Sequence, residues 1–272
     1  MSLLLDIGNT RIKVGYADPT GHRDPTLSAA FIHSELDRLT DWLKQHALRP
    51  QQALGVSVAA PELTERVDQI LLRFDCSTRW LDGTSLCPVL SNGYEAPERL
   101  GADRWLGLIG VLTQQNPSAH RPLVHVSFGT ATTVDTILPA TSHQPARFVG
   151  GLILPGPQLM YDALALNTAK LGKGIGTINE FPTNTRSAIS SGIAAAQTGA
   201  VLRQWQLAQQ DQQVAPLLVY SGGGAELIKA ELLRAYHQQL DLLNLDPESA
   251  LWQPTPVLDG LAYMATQKEQ TD

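Results

Sequence analysis

Cysteine is nearly missing from this chain: Cys76 and Cys87 are the only two in 272 residues. They do not form a CxxC pair, so no disulfide framework or thiolate metal site can be argued. Two thiols in so long a chain suit a reducing compartment. Charge is also scarce, at 17% of residues against a usual quarter. The 20 Lys and Arg are outnumbered by 26 Asp and Glu, for a net charge of −6. That balance disfavours non-specific binding to nucleic acid or an anionic membrane, though it excludes neither a local basic patch nor an anionic ligand. No uncharged apolar run approaches the about 18 residues of a membrane span. The start, MSLLLDIGN, has no basic leader region, and Asp6 interrupts its apolar stretch, so no signal peptide is expected. A cytoplasmic location follows as the expectation. The seven His lack metal-ligand spacing, and His33, His46, His120, His125 and His143 read as surface or structural residues.

What is present is an ordinary folding composition, 43% hydrophobic with 22 Gly and 17 Pro. The length predicts about 1.8 domains at about 150 residues each. Leu3 to Tyr16 reads as two strands around a Gly-Asn turn, followed by a loop over 17–27. Residues 34–48 carry a helical stripe of Leu36, Leu39, Leu43 and Ala47, with Ser34 and Asp37 as a capping-box variant and Pro50 as the stop. ALGVSVAA (53–60) is a buried strand, Pro61 opens the next helix, and TRWL (78–81) is a further strand. The order ββαβαβ points to an α/β sheet with helices packed against it.

A second unit opens near Pro122 with LVHVSF, a Gly129-Thr130 turn, the returning TTVDTIL and a third strand VGGLILPG (149–156). Helices are expected over 157–166 and 187–210. Strand LLVYS (217–221) and the turn Gly222-Gly223-Gly224 lead into a helix from Ala225. The loop NPSAHRP marks the boundary, giving halves of 1–118 and 119–272. LLLDIGNTRIKV and LVHVSFGTATTV share one pattern: apolar strand, polar residue, x-Gly, nearby Thr, returning strand. Two such hairpins in equivalent places suggest a duplicated domain with a cleft between its halves.

Asp6 at a strand end, a tight turn through Gly8, Asn9 and Thr10, and Lys13 beyond it form a plausible phosphate cradle with a carboxylate for hydrated Mg²⁺. The spacing is not that of a P-loop, and an ordinary hairpin with a solvent-facing Asp6 is the competing reading. Ser127 to Asp135 (SFGTATTVD) is a second hydroxyl-rich loop, or simply a Thr-rich strand. Gly222-Gly223-Gly224 permits close approach of a nucleoside, or is a plain strand-to-helix turn. In LGADRW (100–105), Asp103 and Arg104 start an apolar helix, and Tyr94 lies ten residues upstream. They form an acid/base site with a carboxylate clamp, or Asp103 is only a helix-start charge.

DIGNTRIK (6–13), Tyr94 with LGADRW, GTATTVD (129–135), GGLILPG (150–156), TRSAISSG from Thr185 and the Asp-Gly-Leu at 259–261 occur together and in order. The set resembles type III pantothenate kinase, the first enzyme of coenzyme A synthesis. That resemblance implies a two-domain actin-like ATPase fold with ribonuclease H-like duplicated halves, working as a homodimer. It implies that Asp6, Ile7, Gly8, Asn9, Thr10, Arg11, Ile12, Lys13 and Thr130 bind ATP, with Asp6 reaching Mg²⁺ through water. Tyr94, Gly101, Ala102, Asp103, Arg104 and Thr185 would hold pantothenate, Thr185 from across the dimer. Asp103 would be the general base. One departure stands out. The family has Asp where this chain has Ser127, and that Asp helps bind an activating K⁺ or NH₄⁺ ion. A weakened cation dependence, replacement by Asp135, or a catalytically weakened accessory protein with the kinase fold are the open consequences. A different actin-like phosphotransferase is disfavoured by LGADRW and Tyr94.

Overall fold

The computed structural model describes residues 1–115, 120–167 and 174–267. The chain folds as two units, one of residues 1–119 with 255–272, the other of residues 120–254. Part of the expected boundary loop, 116–119, lies outside the described residues.

In the first unit, β1 (Ser2–Ile7) and β2 (Arg11–Ala17) form the expected hairpin, with Asp6 opposite Lys13. β3 (Arg23–Ile32) pairs antiparallel with β2. Its first half falls in the stretch expected as loop, because an edge strand with Pro25 and an exposed run from Asp24 to Thr26 has no apolar alternation to reveal it. A 3₁₀ turn (His33–Glu35) leads to α1 (Arg38–Gln45), shorter than expected, and Asp37 makes no side-chain cap. β4 (Gln52–Ser57), α2 (Pro61–Leu72), β5 (Ser77–Trp80), a short β6 (Leu90–Asn92) and α3 (Ala102–Thr113) follow. The strand order is β3-β2-β1-β4-β5, with β4 and β5 parallel to β1.

The second unit repeats this plan. It contains β7 (Leu123–Phe128), β8 (Ala131–Leu138), β9 (Ala146–Pro155), α4 (Pro157–Asn167), α5 (Thr185–Gln212), β10 (Leu217–Ser221), α6 (Lys229–Leu242) and β11 (Leu251–Trp252). Its strands run β9-β8-β7-β10-β11, with the hairpin pairs antiparallel and β10 and β11 parallel to β7. The order and polarity match the first sheet strand for strand. The triple glycine opens a 3₁₀ turn before α6, so the helix expected from Ala225 starts at Lys229.

Strand alternation sorts the first unit into layers. Leu3, Leu5, Ile7, Ile12 and Val14 point to one face, where α1 (Leu39, Leu43) and α2 (Leu63, Val67, Leu71) cover them. Each such fully buried side chain contributes about 1.5–3 kcal/mol. The opposite face meets α3 and the last helix, α7 (Pro256–Thr266). This corrects the expected division, which left 255–272 with the second half. The physical reason is a backbone-to-backbone crossing. A Cβ on Gly110 of α3 would overlap the Pro256 carbonyl, and one on Gly260 of α7 would overlap the Leu106 carbonyl. Arg23 of β3 closes the joint by pairing with Asp259 and donating to Thr255 Oγ1 at 3.0 Å.

In the second unit, Val124, Val126, Phe128 and Val134 pack against α5 and α6 through Ile193, Val201, Trp205, Leu232 and Tyr236. α5 is therefore a core helix along one side. Its outer side carries Gly192, Ala195, Ala196 and Gly199, all exposed.

Candidate active site

Asp6 follows from the same alternation. Leu5 and Ile7 turn into the α1/α2 core, so Asp6 turns to the face that α3 and α7 approach. It is only 5% exposed. Lys13, its partner across the hairpin, reaches Asp6 Oδ2 with Nζ at 3.4 Å. Burial pushes the Asp6 carboxyl upward, Lys13 pulls it down, and the charge of Asp103 pushes it up again. Two carboxylates and one ammonium therefore share this corner.

The turn between the strands is tied at both ends of one residue. The Gly8 N–H donates to the Arg11 carbonyl at 3.0 Å, and the Gly8 carbonyl accepts from His33 Nε2 at 2.9 Å. Asn9, Thr10 and Arg11 lie exposed on the turn. Ile7 and Ile12 are fully buried, so what they offer a ligand is main chain. His33 is the site neighbour that sequence reasoning missed. Its partner lies 25 residues away, and no local spacing signals it.

α3 presents the second group. Leu100, Ala102 and Trp105 turn inward, and the Trp105 indole donates to the Ser85 carbonyl at 2.9 Å, which fixes the helix start. Asp103 and Arg104, between those anchors, are half-buried at the opening. Asp103 Oδ1 accepts the Arg104 N–H at 2.7 Å. Gly101 precedes it, and a Cβ there would stand 2.9 Å from Asp103 Oδ1. Arg104 Nη1 donates to Tyr94 Oη at 3.1 Å, and its guanidinium carbon lies 5.6 Å from the Tyr94 ring centre. Asp6, Lys13, Tyr94 and Gly101–Arg104 thus belong to one unit, with Asp103 near enough to Asp6 for its charge to be felt.

The second unit holds Ser127, Thr130 and Thr185. The Gly129-Thr130 turn mirrors the first, with Gly129 N–H donating to the Ala131 carbonyl at 3.0 Å and Gly156 N–H to the Thr130 carbonyl at 2.9 Å. Backbone crowds this turn. A Cβ on Gly156 would overlap the Gly129 carbonyl, and one on Gly222, held at φ +91°, the Phe128 carbonyl. Thr130 itself is exposed. Ser127 is half-buried, in register with Thr133 on one side and Ser221 on the other. Two pairs along, His125 faces the buried Asp135 and shares a 2.9 Å hydrogen bond with Ser221 Oγ. Burial holds His125 down to about 4, so it is neutral at pH 7. Thr185 is the exposed first residue of α5, where Asn184 caps the helix by accepting the Ser187 N–H at 3.0 Å.

Among the described residues, no three His, Cys, Asp or Glu converge to hold a metal. A cation at Asp6 would therefore take most of its ligands from water and a bound anion. The corner has the parts for moving a phosphoryl group: main-chain amides and a Lys for phosphate, a buried carboxylate for a hydrated cation, and a second carboxylate for a proton.

The chain is 43% identical over 274 residues to the type III pantothenate kinase of Bordetella pertussis, spanning all of both proteins. It is 36% identical over 253 residues to that of Leptothrix cholodnii, spanning 90% of this chain and 93% of the relative. A Baf family protein from Campylobacter jejuni shares the fold at a TM-score of 0.55 and 17% identity, covering 96% of each chain. A chain of the PilM–PilN type IV pilus biogenesis complex does so at 0.51 and 11%, covering 98% and 99%. The architecture is the duplicated, actin-like α/β fold. A family model described as type III pantothenate kinase matches residues 2–207, and with the full-length identity above it shows that this chain belongs to the type III pantothenate kinase family.

Proposed function

We propose that this chain transfers the terminal phosphoryl group of ATP to the primary hydroxyl of pantothenate, giving 4′-phosphopantothenate at the first step of coenzyme A synthesis. The observation that carries the reading is the pairing of Asp6 and Asp103 across one corner of the first unit, beside Lys13 and Arg104.

Asn9 and Thr10, on the exposed turn that Gly8 opens, offer main-chain N–H groups and a hydroxyl to the phosphates, and Lys13 offers charge. Ile7, Arg11 and Ile12 complete this hairpin. Thr130 contacts the nucleotide from the second hairpin. Arg104, steadied by Tyr94, holds the pantothenate carboxylate. Gly101 and Ala102 let the substrate approach the helix start. Asp103 accepts the hydroxyl proton as that oxygen attacks in line, worth about 10²–10⁴-fold in rate. Mg²⁺, when bound, would neutralise phosphate charge, with Asp6 reaching it through water. The fit is electrostatic: burial makes Asp6 costly to ionise without a compensating cation, and the nearby charge of Asp103 adds to that cost.

A monovalent cation, K⁺ or NH₄⁺, belongs to the reading with Ser127 in the place of the family's acidic ligand. The neighbouring hydroxyls of Thr133 and Ser221 and the carboxylate of Asp135 are the groups at hand to compensate. A homodimer is supported by the small outer face of α5, where a Cβ on Gly192 or Gly199 would touch nothing within 4 Å. Thr185, exposed at the head of that helix, is free to serve the partner's pantothenate. Two free cysteines suit the cytoplasm, and no described helix is long and apolar enough to cross a membrane.

The test is ADP release with and without pantothenate, in K⁺, NH₄⁺ and Na⁺. Pantothenate-dependent ADP is expected, and its absence in every salt refutes the reading. Asp103→Asn should lower turnover by about 10²–10⁴-fold while ATP affinity, read by calorimetry, stays within about twofold. Near-normal turnover in that variant removes Asp103 as the base.

A further inference from the structure

We infer that His33 is a positioning residue for the nucleotide phosphates, acting through the carbonyl of Gly8. The inference rests on the reading of the Asp6–Lys13 hairpin as the phosphate site.

Gly8 is the first residue of the turn, and its two main-chain groups are held separately. Its N–H is committed within the hairpin to the Arg11 carbonyl. Its carbonyl is committed outside the hairpin, to His33 Nε2 at 2.9 Å. A carbonyl can only accept, so Nε2 carries the hydrogen in this contact. His33 can reach there because β3 pairs with β2 up to Arg11 opposite Ile32, and the 3₁₀ turn begins at the next residue.

The consequence follows from peptide geometry. No peptide bond in the described chain is cis. In a planar trans unit the C=O of Gly8 and the N–H of Asn9 point in opposite directions. Fixing that carbonyl on the imidazole therefore aims the Asn9 N–H away from His33, toward the exposed side of the turn. On its own segment, Glu35 pairs with Arg38 at 3.2 Å, and Arg38 lies over Phe31. His33 thus acts on the turn's orientation. Without it, the peptide plane between Gly8 and Asn9 loses its outer tether, and a flexible glycine can rotate it.

The test compares His33→Ala and His33→Gln with the wild type in the intact protein. Gln places an amide N–H near the reach of Nε2, so it should restore what Ala removes. Loss of one hydrogen bond predicts about a fivefold rise in KM for ATP in His33→Ala, with KM for pantothenate unchanged and KM for ATP recovered in His33→Gln. An unchanged KM for ATP, or an equal rise for both substrates with no recovery by Gln, overturns the inference. Lys13→Ala, with ADP binding measured by calorimetry, separates the two levels. If Lys13→Ala does not weaken ADP, the hairpin is not the phosphate site and the underlying reading fails. If Lys13→Ala weakens ADP and His33→Ala does not, the role of His33 alone fails.

Discussion

Asp6 illustrates a residue kept against its own stability. It sits 5% exposed among apolar strands, with one Lys at 3.4 Å and another carboxylate nearby. Because burial raises its folded pKa above the ordinary 3.8, the native state holds this proton to higher pH than the unfolded chain does. Its contribution to stability is complete below the unfolded value and is lost as pH rises through the folded one. Asp6→Asn removes that loss. The variant should melt higher than the wild type, with a gap that is small near pH 4 and wider at pH 7, as scanning calorimetry would read. Its kinase turnover should fall by about 10²-fold or more, since a neutral amide cannot hold the metal–phosphate charge. A gap that shrinks as pH rises would contradict the sign of the argument.

Elements were legible where apolar period and turn chemistry were local. LLLDIGNTRIKV and LVHVSFGTATTV announce both hairpins, and the LGADRW helix appears as read, because strand, Gly turn and helix start each lie within a dozen residues. β3 was illegible because its exposed edge carries Asp24, Pro25 and Thr26 in place of alternation. The placement of α7 was illegible because its partner α3 lies some 150 residues earlier, and only paired glycines record the crossing. His33 reads from sequence only as surface or structural for a similar reason, since its acceptor is a carbonyl, which no sequence spells. The crossing yields a graded prediction. Gly110→Ala and Gly260→Ala put a methyl against backbone and should cost about 1–3 kcal/mol or more in urea unfolding. Gly107→Ala, also in α3, meets only Val257 Cγ2 at 3.7 Å and should be neutral or up to about 1 kcal/mol stabilising. Equal effects at the three positions would mean that α3 and α7 are not packed backbone to backbone.

For the whole molecule, the same sheet order appears twice, and each copy spends its hairpin turn on exposed polar residues. The proposed homodimer can be tested at the outer face of α5, where Ala196→Arg and Gly199→Arg add bulk to an exposed surface. The fold should survive, because the exposed Ala196 position and the open space at Gly199 make room for a strong helix former. Sedimentation should show a monomer in place of the dimer. Pantothenate kcat/KM should drop about fivefold or more as the partner's Thr185 is lost. A dimer unchanged by both substitutions would place the seam elsewhere.

The return of α7 to the first unit also bears on how the chain is made. A ribosome delivers residues 120–254 as a unit that can close on its own strands as soon as they emerge. The sheet carrying Asp6 is synthesised earlier, yet one of its faces waits for Pro256–Thr266 to cover it, with α3 and Asp103 already in line. The half that holds Asp6 and Asp103 is begun first and covered last.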